Sequence, residues 1–229
     1  MLSTFAPPNT IVVSPPPIDG ITIGAMTSLQ TLADDITINT LYTALAELAR
    51  TIETSSEDMF SSWTELLTVK SQTSTALLTA IALFDGVFEL AGTGGEHTLP
   101  ASDWCLSTFA LAPIMSVTLP SFWGASAYEH SRDPAYPNIQ LSVVILLEWT
   151  FDDYISHAQI VLVGVQDAPL RMRHIETALI GAFLNSSAIV TALNVAAQDF
   201  AVRTEGKDNS TQLLKLSTDL ISQALHRFK

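Results

Sequence analysis

Two apolar, β-branched runs, Ile139 to Leu147 and Ala158 to Val165, lie ten residues apart and set the strongest limit on what this chain can fold into. Both are short and rich in Val, Ile and Leu, the pattern of buried strands rather than of surface helices. The residues between them, Glu148 to His157, form either a hairpin loop or a helical turn.

Around this nucleus the spacing is mostly helical. Leu41, Leu45, Leu48 and Ile52 share one stripe of a helix predicted over residues 40–54. Ser55 and Ser56 offer an N-cap for a second helix carrying Phe60, Trp63, Leu66 and Leu67. A third is predicted from Thr73 to Leu90, with Leu77, Ile81, Phe84 and Phe88 on one side and Gly92 closing it. Asp167-Ala168-Pro169 opens a long helix to about Val202, and Asn209 or Ser210 caps a last one with Leu213, Leu216, Leu220, Ile221 and Leu225 inward. Residues 92–137, with five prolines, read as irregular. Residues 1–23 read as an extended arm, because Pro7-Pro8 and Pro15-Pro16-Pro17 forbid helix there. The expected fold is therefore α+β and mainly helical. A helical bundle packs on a small sheet or hairpin at residues 139–165, and the arm precedes a single domain over 24–229.

Charge is scarce. Charged residues are 14% of the chain, against about 25% in an ordinary soluble domain, while 47 of its 229 residues are Ser or Thr. Such a surface suits lasting contact with neighbours better than life as a free monomer. The net charge of −13 is also uneven, since residues 1–131 contain 13 acids and only Arg50 and Lys70 as bases. That half cannot displace counterions from phosphates, which argues against direct nucleic-acid binding. Pro7-Pro8 and the lack of early positive charge argue against a secretory signal. Residues 104–128 are uncharged for 25 positions, yet Pro113 and Pro120 interrupt them, so buried core is favoured over a membrane span. Cys105 alone permits no disulfide framework and no cysteine zinc site.

The one dense ionisable cluster beside apolar sequence is Glu148, Asp152, Asp153 and His157. Paired carboxylates with a histidine could hold a hard cation or divide into acid and base. Phe151-Asp152-Asp153 resembles the aspartate-rich motif of class I terpene synthases, and that resemblance implies magnesium and a diphosphate. The family's third acidic position falls on Ser156, however, and no downstream Asn/Ser/Glu motif follows. A solvated loop is the favoured reading. Gly92-Thr93-Gly94-Gly95 follows a helix and precedes Glu96, so it reads as a turn rather than a phosphate loop. Arg171, Arg173 and His174 form a basic cluster at a helix start, where the dipole disfavours it; a solvated helix face is the favoured reading, and an acidic partner or the acidic half of a neighbouring copy is the alternative.

These features predict a non-enzymatic structural subunit of a large assembly, with a viral capsid or capsid-surface protein the natural example, resident in a virion or the cytoplasm. Its partners would be copies of itself or another protein of that assembly. Ile11, Val12 and Val13, able to join a sheet edge, and Arg171 and Arg173 are the expected contact residues. No catalytic residue, metal or cofactor is read. The alternatives are a divalent-cation-dependent enzyme using Glu148, Asp152 and Asp153, and a helical membrane-associated protein using residues 104–128.

Overall fold

The computed structural model describes residues 8–14, 20–54, 60–91, 97–104, 113–131, 139–201 and 210–228. The chain divides into two compact units, Met1–Phe122 and Trp123–Lys229.

The first unit is built on a five-stranded antiparallel sheet. Its strands are β1 (Ile11–Ser14), β2 (Gly20–Gly24), β3 (Val87–Leu90), β4 (His97–Pro100) and β5 (Ile114–Pro120), in spatial order β1-β2-β5-β3-β4. The α-helices among the described residues of this unit are α1 (Leu29–Asp34), α2 (Ile36–Leu41), α3 (Thr43–Thr54), α4 (Trp63–Leu67) and α5 (Gln72–Leu83). Trp63 is fully buried, stacks on Phe88 of β3 at 6.2 Å, and donates from Nε1 to the Gly24 carbonyl at 2.8 Å. Its apolar body and its single polar atom are therefore both satisfied. Tyr42 is equally buried and donates its hydroxyl to the Pro120 carbonyl at 2.8 Å. Burial pushes this phenol up to about 12.

The second unit holds a four-stranded antiparallel meander of β6 (Gly124–His130), β7 (Ser142–Trp149), β8 (Ile155–Val163) and β9 (Leu170–Arg171). Its helices are α6 (Arg173–Leu179), α7 (Ser186–Leu193), α8 (Ala196–Ala201) and α9 (Ser210–His226). Val143, Ile145 and Leu147 of β7 join Ala158, Ile160 and Leu162 of β8 in one core with Ile175, Leu179, Ile189, Leu220 and Ile221 of the helices. Val144, Leu146, Val161 and Val163, on the opposite face by alternation, are buried as well. Burial on both faces is why these strands read as unbroken apolar runs.

The predicted architecture needs correction. Two antiparallel sheets, not a helical bundle on a small hairpin, organise the chain. The helix expected to reach Leu90 stops at Leu83, because Asp85 takes a left-handed φ of 53° and the Gly86 N–H donates to the Ile81 carbonyl at 3.0 Å. A β-carbon on Gly86 would lie 2.8 Å from the Ile81 carbonyl oxygen, so glycine is what lets β3 begin directly. Leu41, assigned to the α3 stripe, belongs to α2 and is exposed. The helix expected from Pro169 to Val202 is three helices, broken at Gly181 (φ 80°) and at Asn194-Val195, with β9 standing where its first turn was predicted. The stretch expected to be irregular contributes β4, β5 and β6. No helix of the described residues is long and apolar enough to cross a membrane. Described residues 113–128 of the uncharged run form strands β5 and most of β6.

Candidate functional site

Within the second unit, β7 and β8 are joined by a tight turn whose shape comes from Thr150. Its backbone N–H donates to the Tyr154 carbonyl at 2.8 Å, its own carbonyl accepts from Asp153 N–H at 3.1 Å, and its hydroxyl accepts from Tyr154 N–H at 3.2 Å. Asp153 supplies the left-handed residue, φ 62°, a conformation that Asp tolerates better than most side chains. Beyond the turn, Tyr154 bridges to Phe183, and Ile155 exchanges backbone hydrogen bonds with Gly181 and Ala182 at 2.8 and 2.9 Å. The α6–α7 connection is thereby laid along the end of the hairpin.

A groove of about 590 Å³ opens there, lined by Trp149, Asp153, Phe183, Leu184, Asn185, Ser186 and Phe228. Trp149 meets Phe228 edge to face at 6.2 Å. Asn185 at the groove caps α7 by accepting from Ala188 N–H at 2.9 Å. Phe151, Tyr154 and Phe183 are exposed at this end of the unit. The groove is aromatic with one carboxylate, a surface for apolar contact rather than for acid–base chemistry.

The second unit also holds two buried carboxylates. Glu176 accepts from Ile160 N–H at 2.8 Å and from Arg171 Nε at 3.0 Å, tying α6 to β8 and β9. Asp199 accepts from the His174 N–H at 3.1 Å and meets His174 Nδ1 at 2.8 Å, tying α8 to the start of α6. Each charge is offset where it is buried, as a carboxylate without water must be.

The predicted site residues are brought together only in part. Glu148 lies opposite His157 in the β7–β8 register, whereas Asp152 and Asp153 are exposed on the turn. His157 Nε2 meets Gln159 at 2.9 Å. Among the described residues no group of three or more His, Cys, Asp or Glu is placed to hold a metal ion. Arg171 already has an acidic partner within the chain, Glu176, and Arg173 is exposed in the first turn of α6. Ile11, Val12 and Val13 form β1, at the edge of the first unit's sheet, where they pair with Ile23, Thr22 and Ile21 of β2. Cys105 and Gly92 to Gly95 lie outside the described residues. Glu176, Asp199 and the groove aromatics were not singled out from the sequence. Asn185-Ser186-Ser187 carried a capping signal for α7, but Asp199 caps a helix 25 residues upstream and leaves no local trace.

Residues 126–225 match the model of the CO dehydrogenase flavoprotein C-terminal domain. That segment covers nearly all of the second unit and less than half of the chain. No curated protein matches in sequence. In three dimensions the chain is similar to a chain of carbon monoxide dehydrogenase from Hydrogenophaga pseudoflava, at a TM-score of 0.72 and 19% identity over 96% of this chain and 77% of that one. A chain of reconstituted CO dehydrogenase from Oligotropha carboxidovorans gives 0.73 and 16% over 96% and 78%. Quinoline 2-oxidoreductase from Pseudomonas putida 86 gives 0.74 and 13% over the same shares. The fold is that of these oxidoreductase chains. This overturns the expectation of a capsid or capsid-surface protein, and with it the expectation of a non-enzymatic subunit. Scarce charge and abundant Ser and Thr reported a chain suited to contact, not the kind of assembly.

Proposed function

We propose that the chain is a subunit or domain of a multi-chain oxidoreductase of the kind represented by CO dehydrogenase and quinoline 2-oxidoreductase. The observation that carries this reading is the match of residues 126–225 to the flavoprotein C-terminal domain. The four-stranded meander with helices α6 to α9 accounts for that segment as one compact unit. A charge-poor surface supports a place among partner chains, and the aromatic groove at the β7–β8 turn offers one of them an apolar seat.

A flavin, if the assembly carries one, supplies hydride and single-electron transfer when bound. The test of the reading is dye reduction by the natively isolated assembly, with carbon monoxide and N-heteroaromatic compounds as trial reductants. Substrate-driven reduction that disappears when this chain is withdrawn and returns when it is added back supports a subunit of such an enzyme. Full activity without the chain contradicts it.

A further inference from the structure

We propose that the groove beside the β7–β8 turn docks a partner chain, and that its occupant is an apolar or aromatic side chain flanked by Lys or Arg. This rests on the assembly reading above and names the chemistry of one partner within it.

The apolar half of that recognition lies in the lining. Leu184 is buried, Trp149 and Phe228 are half-buried, and Phe183 is exposed. Phe151 and Tyr154 add two exposed aromatics on the adjoining turn, and Ile180 is exposed just before the segment that pairs with Ile155. Single exposed apolar residues are ordinary, but a cluster of them around a concave site marks an interaction surface. The surface is also fixed before anything binds. Three hydrogen bonds to Thr150 hold the turn, and Ile155 bonds to Gly181 and Ala182 hold the α6–α7 connection against the hairpin. A partner side chain entering there orders nothing first, so little affinity is lost to conformational entropy.

The charged half lies on the same turn. Asp152 and Asp153 are exposed, Asp153 lines the groove, and neither has an ion pair among the described residues. Two adjacent carboxylates beside aromatic rings attract a cation next to the apolar anchor, through charge and through the ring faces. The same pair repels an anionic membrane surface. A second copy fits poorly as well. In an isologous pair the patch meets itself, which sets Asp152 and Asp153 of one copy against those of the other. A basic and apolar segment of a different chain satisfies both halves.

The test uses the tagged full chain in its natively isolated assembly, with Phe151 replaced by the photo-crosslinker p-benzoylphenylalanine. The expected crosslink runs to a different chain, at an apolar segment with Lys or Arg beside it. Reassociation of the purified chain with assembly depleted of it gives the second readout. Phe151→Ser with Phe183→Ser should weaken reassociation at least about tenfold. Asp152→Asn with Asp153→Asn keeps a residue that tolerates the left-handed turn. It should slow association about tenfold at low salt and remove most of the salt dependence. Phe151→Ser alone, at a fully exposed side chain, should weaken reassociation without moving the unfolding midpoint. Unchanged reassociation in these variants overturns the docking site while the assembly reading stands. So does a crosslink to lipid, to a second copy, or to a segment without a basic residue. A chain that isolates with no partner fails the assembly reading too, so the two failures are distinguishable.

Discussion

The Asp199 carboxylate stands where the N-cap side chain of α6 would normally be, receiving the His174 backbone N–H at 3.1 Å and His174 Nδ1 at 2.8 Å from 25 residues away. Met172, the residue before the helix, makes no side-chain cap. One buried group therefore joins two helices and satisfies a helix start. Asp199→Ala should cost about 2–3 kcal/mol, and Asp199→Asn, which keeps one acceptor, about half of that. Urea unfolding measures both, and a loss below about 0.5 kcal/mol for Asp199→Ala would show that water replaces the carboxylate.

Ser217 lies fully buried in α9, which also buries Leu213, Leu216, Leu220 and Ile221, and its hydroxyl has no hydrogen-bond partner among the described residues. A buried unsatisfied hydroxyl costs more than an apolar group of similar size. Ser217→Ala should raise stability by about 1 kcal/mol in the same measurement. Destabilisation would mean that the hydroxyl is satisfied.

Tyr42 makes a prediction in pH. Its folded pKa of about 12 exceeds the ordinary value of 10.0. The folded state thus holds the proton more tightly, and this contribution is complete below pH 10 and lost as pH rises toward 12. Tyr42→Phe should remove that part of the alkaline loss and cost about 1 kcal/mol at pH 7 through the hydrogen bond to Pro120. Stability profiles of both proteins between pH 8 and pH 12 check it. Parallel profiles would contradict the assignment.

Part of this architecture was legible in the sequence. Ile139 to Leu147 and Ala158 to Val165 gave β7 and β8 because strands buried on both faces leave an unbroken apolar signal. The stripe at Leu213, Leu216, Leu220 and Ile221 likewise gave α9. The first unit's sheet was hidden for a physical reason: β2, β3 and β5 are short and pair across the chain, with Ile23 beside Val117 and Phe88 beside the same residue. Helical spacing of Ile81, Phe84 and Phe88 then passed for one face, although the Asp85-Gly86 pair is a local turn signal at the point where Asp85 turns left-handed. The groove was illegible for the same reason. Trp149, Phe183 and Phe228 meet only after the meander and α9 are in place.

The most direct measurement is the native mass and chain composition of the tagged protein isolated from its own source. A stable complex is expected in which the 24.7 kDa chain is stoichiometric with chains different from itself. A lone chain of that mass, or a shell of identical copies, would contradict the proposed place in a multi-chain oxidoreductase.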